Sequence, residues 1–182
     1  MIRILPNILT FLRLLMAIVF VPVFFHEQQS NPNGNGALIL YTVASVTDVI
    51  DGYIARKYSA VSNFGKIFDP LADKLLQFLV SVSISCVEPV FTIIPIFLFV
   101  KEIMMLIGAI LLYKKKVVLS SNVYGKLASV VYFLLFFTML GFREMISQPV
   151  KITFIVVFLL ASLTAFLQYI RVYKRARNPI TQ

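Results

Sequence analysis

The sequence predicts an all-α integral membrane protein, a bundle of six transmembrane helices with both termini in the cytoplasm. Three observations predict it. The 182 residues are 59% hydrophobic, with a mean hydropathy of +0.89, whereas a soluble domain is nearer about half apolar. Only 14% of the residues are charged, against about a quarter in a soluble domain. Six apolar stretches approach or exceed the roughly 20 residues that a bilayer crossing needs: 8–25, 37–57, 65–87, 90–112, 123–142 and 149–171. Seventeen Phe and no Trp fit a lipid-facing bundle better than a water-soluble core.

The connections follow in order. Residues 26–36, HEQQSNPNGNG, read as a polar loop without Lys or Arg, and His26 as a residue of that loop. About seven residues join the second and third spans, which are therefore expected to be antiparallel neighbours. Glu88-Pro89 reads as a tight turn, Lys114, Lys115 and Lys116 close the fourth span, and residues 143–151, REMISQPVK, form a short polar turn. Placing the N-terminus in the cytoplasm puts Arg3, Arg56, Lys57, Lys66, Lys114 to Lys116, Arg171, Lys174, Arg175 and Arg177 on the cytoplasmic side. Arg143 and Lys151 stay outside, with Glu27, Glu88 and Glu144. That distribution satisfies the positive-inside rule. No repeat or low-complexity region divides the chain, so residues 1–182 are expected to form one membrane domain. No small-residue cleavage site follows the first apolar stretch, which is expected to be retained.

The net charge of +9 admits nucleic acid in principle, but this apolar content makes anionic lipid head groups the expected partner. Cys86 stands alone; it offers no disulfide or cysteine metal site within the chain and reads as a small buried hydrophobe.

The chemistry-bearing stretch runs from Asp48 to Lys74. It holds four of the chain's eight acidic residues, as the pairs Asp48 with Asp51 and Asp69 with Asp73. Spacings of three and four put each pair on one helix face. A buried carboxylate must be paired, protonated or bound to a cation. The local cations Arg56, Lys57, Lys66 and Lys74 could make a salt-bridge cluster. The two acidic pairs read better as oxygen ligands for Mg²⁺ or Mn²⁺. With the topology above, the four carboxylates meet just inside the cytoplasmic membrane surface. A water-soluble nucleotide reaches such a place from one side and lipid from the other.

The stretch reads D-x2-D-G-x2-A-R-x8-G-x3-D-x3-D, with Asp48, Asp51, Gly52, Ala55, Arg56, Gly65, Asp69 and Asp73 at its fixed points. This resembles the signature of the CDP-alcohol phosphatidyltransferases. The resemblance implies a plasma-membrane enzyme, active on the cytoplasmic side, that moves a phosphatidyl group from CDP-diacylglycerol to an alcohol and releases CMP. It implies two divalent ions held by Asp48, Asp51, Asp69 and Asp73, with Asp73 also the general base. It implies nucleotide contacts from Asp48, Asp51, Gly52, Ala55, Arg56, Gly65 and Asp69, and a homodimer. The glycines lack side chains where nucleotide and helices approach closely, and Arg56 suits a phosphate.

Upstream, Pro6-Asn7-x2-Thr10-x2-Arg13 resembles the opening of the phosphatidylglycerophosphate synthase and cardiolipin synthase branches. Asn7, Thr10 and Arg13 share a helix face. An Arg one turn into a membrane helix is costly, and either serves function or snorkels to the interface. These three, with Lys101 in the fourth span and Lys126 in the fifth, are the expected acceptor contacts. Lys101 could instead pair with an Asp. Synthases using glycerol-3-phosphate often show R-E-x6-R and G-K-x-K-T. Here Lys101-Glu102 with Ala109, and Gly125-Lys126-Leu127-Ala128-Ser129, lack two of those cations, a form closer to some cardiolipin synthases. Glycerol-3-phosphate is the first expectation and phosphatidylglycerol the second. A divalent-cation transporter is the alternative of another class, but it would carry its acids at the bilayer midplane, often in inverted repeats.

Overall fold

The structure, a computed structural model, describes residues 5–30, 34–57, 63–113 and 123–177. These form six long helices: α1 (Leu5–Ser30), α2 (Gly36–Lys57), α3 (Asn63–Val87), α4 (Ile93–Tyr113), α5 (Val123–Phe142) and α6 (Gln148–Arg177). Short 3₁₀ turns at Pro89–Thr92 and Arg143–Met145 join α3 to α4 and lead from α5 towards α6. No strand occurs among the described residues.

Among the described residues, four stretches are long and apolar enough to cross a membrane: Asn7–Ser30, Pro89–Gly108, Leu127–Met145 and Gln148–Arg171. Within the described part of α2, Gly36–Ile50 is an apolar stretch. In α3, Lys66, Asp69, Asp73 and Lys74 interrupt the apolar run.

The chain divides into two compact units. The first comprises Met1–Thr92 with Phe136–Arg143, and the second Ile93–Leu135 with Glu144–Gln182. In the first, α1 packs against both α2 and α3. Its buried stripe is Thr10, Arg13, Met16, Ala17, Phe20 and Phe24, the three-and-four spacing of one helix face. Phe20 and Phe24 stack at 5.8 Å between centroids. The buried stripe of α2 is Ala37, Tyr41 and Ala44, and Asp48 is the next position along it. The stripe of α3 is Ala72, Leu76, Val80 and Ile84, and Asp73 stands beside its first residue. Both acids therefore continue apolar faces that point inward. The two alanines of α2 let α1 approach closely, as small residues do between membrane helices.

Two polar contacts set how α1 lies on α2. The Glu27 carboxylate accepts from the Gly36 and Ala37 amides at 2.5 and 3.1 Å, and Arg13 Nη1 lies 2.7 Å from Asp48 Oδ1. Residues 13 to 27 rise about 21 Å along α1, and 36 to 48 about 18 Å along α2. The near match makes the helices antiparallel partners along their length. Arg143 Nη2 donates to Gln28 Oε1 at 2.8 Å, which ties the end of α5 to the end of α1.

Three expectations are corrected here. The polar segment after residue 25 is helical to Ser30, because Glu27 and Gln28 are held by the partners just named. The 3₁₀ turn after Glu88 extends to Thr92. Cys86 is exposed, since it lies off the Val80–Ile84 face.

In the second unit α4 packs against α6. The Tyr169 hydroxyl donates to the Met105 carbonyl at 3.0 Å. A Cβ on Gly108 would lie 2.9 Å from that hydroxyl oxygen, so the glycine leaves room for the tyrosine. Tyr132 of α5 meets Phe158 of α6 edge-on at 5.6 Å.

Candidate active site

Among the motif acids, the structure describes the side chains of Asp48 and Asp73. Both belong to the first unit, one from the cytoplasm-predicted end of α2 and one from the start of α3. The charges of Asp48 and Arg13 both act on Asp73, and Arg13 also pairs with Asp48. Asp51, Ala55, Arg56, Gly65 and Asp69 lie on these helices, and their side chains lie outside the described residues. Gly52 is half-buried on α2. The gap of residues 58–62 between the helices also lies outside.

Arg13 is 1% exposed and Asp48 45%. A fully buried guanidinium must be compensated, and Asp48 compensates it. Asp48 keeps a solvated side, so this is no sealed ion pair. The sequence reading put Arg13 on the acceptor and missed this partner; charge on a shared helix face could not show which acid lay opposite. The guanidinium has five donors, and Nη1 is the one that faces Asp48. Thr10 is fully buried and Asn7 half-buried on the same α1 face.

Asp73 is held from within its own helix. Gln77 Nε2 donates to both carboxylate oxygens, at 3.0 and 3.1 Å. Lys74 Nζ stands 3.9 Å from Oδ2, beyond hydrogen-bond range. The amide therefore fixes the carboxylate's orientation, and the ammonium supplies only field. Tyr41 of α2, 2% exposed, has its phenol hydrogen-bonded to the Ser45 side chain and lies within electrostatic reach of Asp73. Neither Gln77 nor Tyr41 entered the sequence reading. The i, i+4 spacing of Asp73 and Gln77 was a signal that could have found the first.

Lys101 and Lys126 belong to the second unit. Lys101 Nζ lies 3.2 Å from Glu102 Oε1. The side chain of Lys126 lies outside the described residues.

No group of three or more His, Cys, Asp or Glu side chains that could hold a metal converges among the described residues; Asp51 and Asp69 are not among those searched. The donor chemistry of the two that are described fits a hard divalent cation: acceptor-only carboxylate oxygens, one acid part-solvated, one oriented by an amide.

Phosphatidyl transfer from a CDP-alcohol is the chemistry of the family to which the chain belongs. A model of the CDP-alcohol phosphatidyltransferase family matches residues 3–172, and this family is generally dependent on divalent metal. The chain is similar to proteins named CDP-diacylglycerol–glycerol-3-phosphate 3-phosphatidyltransferase. One from Rickettsia typhi is 53% identical over 72 residues, covering 40% of this chain and 39% of the relative. One from Aquifex aeolicus is 32% identical over 123 residues, 66% of each chain. One from Bacillus subtilis is 66% identical over 38 residues, 21% of this chain and 20% of the relative. The matched stretch thus spans about two fifths of the length of the Rickettsia relative.

Proposed function

We propose that the protein transfers the phosphatidyl group of CDP-diacylglycerol to glycerol-3-phosphate, giving phosphatidylglycerophosphate and CMP. The observation that carries this is the complete eight-point acidic motif, with Asp48 and Asp73 close enough to act on one another. The names of the relatives support glycerol-3-phosphate as acceptor. Membership of an enzyme family removes the transporter reading. The catalyst is read as a single six-span domain of the plasma membrane, with both termini and the site on the cytoplasmic side, acting as a homodimer. The charge distribution supports that topology.

In this reading the acceptor hydroxyl oxygen bonds to the phosphorus that carries diacylglycerol. The P–O bond to CMP breaks, and CMP leaves with the electron pair. Asp73 takes the hydroxyl proton, a role that typically contributes about 10²–10⁴ in rate. Asp48, Asp51, Asp69 and Asp73 would hold two divalent ions, Mg²⁺ or Mn²⁺. Bound there, such ions neutralise pyrophosphate oxygens and stabilise the leaving CMP. Gly52, Ala55, Arg56 and Gly65 line the nucleotide, and Asn7, Thr10, Arg13, Lys101 and Lys126 read the acceptor.

The second reading takes phosphatidylglycerol as acceptor and makes cardiolipin; Gly125 to Ser129 and Ala109 favour it, because two expected cations are missing. An acceptor screen decides. Purified protein is given CDP-diacylglycerol, Mg²⁺ or Mn²⁺ and each alcohol in turn, and CMP release is measured. Release with glycerol-3-phosphate is expected. Rapid release with phosphatidylglycerol alone moves the enzyme to cardiolipin synthesis, and release with neither removes the proposal.

A further inference from the structure

Asp73 has two duties in the proposed reaction, and a carboxylate on a flexible side chain performs neither unless its plane is set. The structure shows what sets it. Gln77, one turn further along α3 and 9% exposed, places a single amide nitrogen across both oxygens at 3.0 and 3.1 Å. A carboxylate only accepts, so the nitrogen and not the amide oxygen must face it. Lys74 is too far to compete for that position, at 3.9 Å, and is only partly buried. Gln77 lies on the α3 face that carries Val80, Ser81 and Ile84, all buried, so packing restricts its own rotamer. An amide carries no net charge. It can therefore orient the acid without cancelling the charge needed to attract a proton or a cation.

We propose that Gln77 is a positioning residue for Asp73: its amide aims the carboxylate at the acceptor hydroxyl, and its loss slows transfer without weakening substrate binding. This rests on the reading of Asp73 as general base. Misdirecting a reacting group by about 1 Å can cost about 10²-fold.

The test uses the full chain in detergent with CDP-diacylglycerol, glycerol-3-phosphate and Mg²⁺. Gln77→Met keeps length and packing and removes the donor. Its kcat is expected to fall about 10- to 100-fold. Both KM values, and calorimetric binding of CDP-diacylglycerol without acceptor, should stay within about two-fold. Gln77→Glu keeps the shape but sets acceptor against acceptor, and should fall further. Gln77→Lys restores a donor and should recover part of the loss, which a residue needed only for packing would not do. In an Asp73→Asn background, Gln77→Met should add nothing, because the two act as one unit. Wild-type kcat in Gln77→Met, or an equal and independent loss in the Asp73→Asn background, overturns the inference while leaving the proposed function standing. Should Gln77→Met fail to fold, Gln77→Glu against Gln77→Lys carries the same test, and equal kcat in those two overturns it. A wild-type protein that releases no CMP overturns the proposed function first, and this inference with it.

Discussion

Glu27 and Asp48 are both acids at contacts between α1 and α2, about 18 Å apart along α2 by helical rise, yet they meet opposite environments. Glu27 accepts from two backbone amides at the first turn of α2, where exposed N–H groups and the helix dipole favour a negative charge. Beside it, Arg143 and Gln28 satisfy one another. That end is closed by mutual hydrogen bonds. At the other end Asp48 faces a buried guanidinium and keeps 45% of its side chain exposed. A second acid, Asp73, lies within electrostatic reach. Two carboxylates from neighbouring stretches of α2 and α3 that act on one another are not explained by stability. The metal site proposed above would account for them. The same residue class is thus a cap at one end and a site at the other, and the neighbours decide which.

The comparison breaks most sharply on metal removal. With excess chelator, CMP release should fall below detection, whereas the thermal midpoint set by the closed end should move little. Full turnover with chelator, and no metal carried in with the lipid, would make the open end a structural salt-bridge cluster after all.

Next in size are the acids themselves. Asp73→Asn keeps shape and loses the base, so turnover should drop by about 10²–10⁴ with CDP-diacylglycerol binding largely kept. Asp48→Asn or Asp51→Asn should weaken metal and nucleotide binding together. Calorimetry beside CMP release separates the two classes. If Asp73→Asn loses nucleotide binding as badly as Asp51→Asn does, its assignment as base is wrong.

The difference between the two ends was partly legible in the sequence. The helical class and the placement of the long helices followed from hydropathy, because long apolar runs admit few structures other than helices in a bilayer. The motif acids were legible from spacing. Their partners were not. Arg13 meets Asp48 across two helices 35 residues apart, and spacing constrains only contacts within one helix. Glu27 was read as a loop residue because its polar surroundings resemble a turn; its two amide partners lie nine and ten residues away. Gly108 gave no sign that Tyr169 would fill the space above it.

Arg13 tests the link between the ends more gently. Breaking a fully buried ion pair costs about 3–5 kcal/mol, and Arg13→Gln should cost well below that because water screens the exposed side of Asp48. The expected signature is a raised KM for CDP-diacylglycerol, as Asp48 loses its orientation. Arg13→Lys keeps the charge but not the planar fork, so it should restore stability more than KM. A raised KM for the acceptor alone would mean that the pairing with Asp48 is incidental and that the guanidinium serves the acceptor.

The smallest effect belongs to the closed end. Glu27→Ala removes the acceptor from two amides of α2, and loss of a helix cap costs about 0.5–2 kcal/mol. The thermal midpoint should fall, while kcat and both KM values stay near wild type, because the lesion lies about three turns of α2 from Asp48. Gly36→Ala provides a second route to the same place. Its Cβ would stand 2.7 Å from Glu27 Oε1, so the carboxylate must swing aside and the cap is weakened without removing the acid. The two substitutions should therefore lower the midpoint by similar amounts, and the double variant should add little to either. An additive double variant would show that Gly36 is needed for its own backbone and not for the cap. A loss of kcat in Glu27→Ala with the fold intact would show that the two ends are coupled through α2, and the division between them would fall.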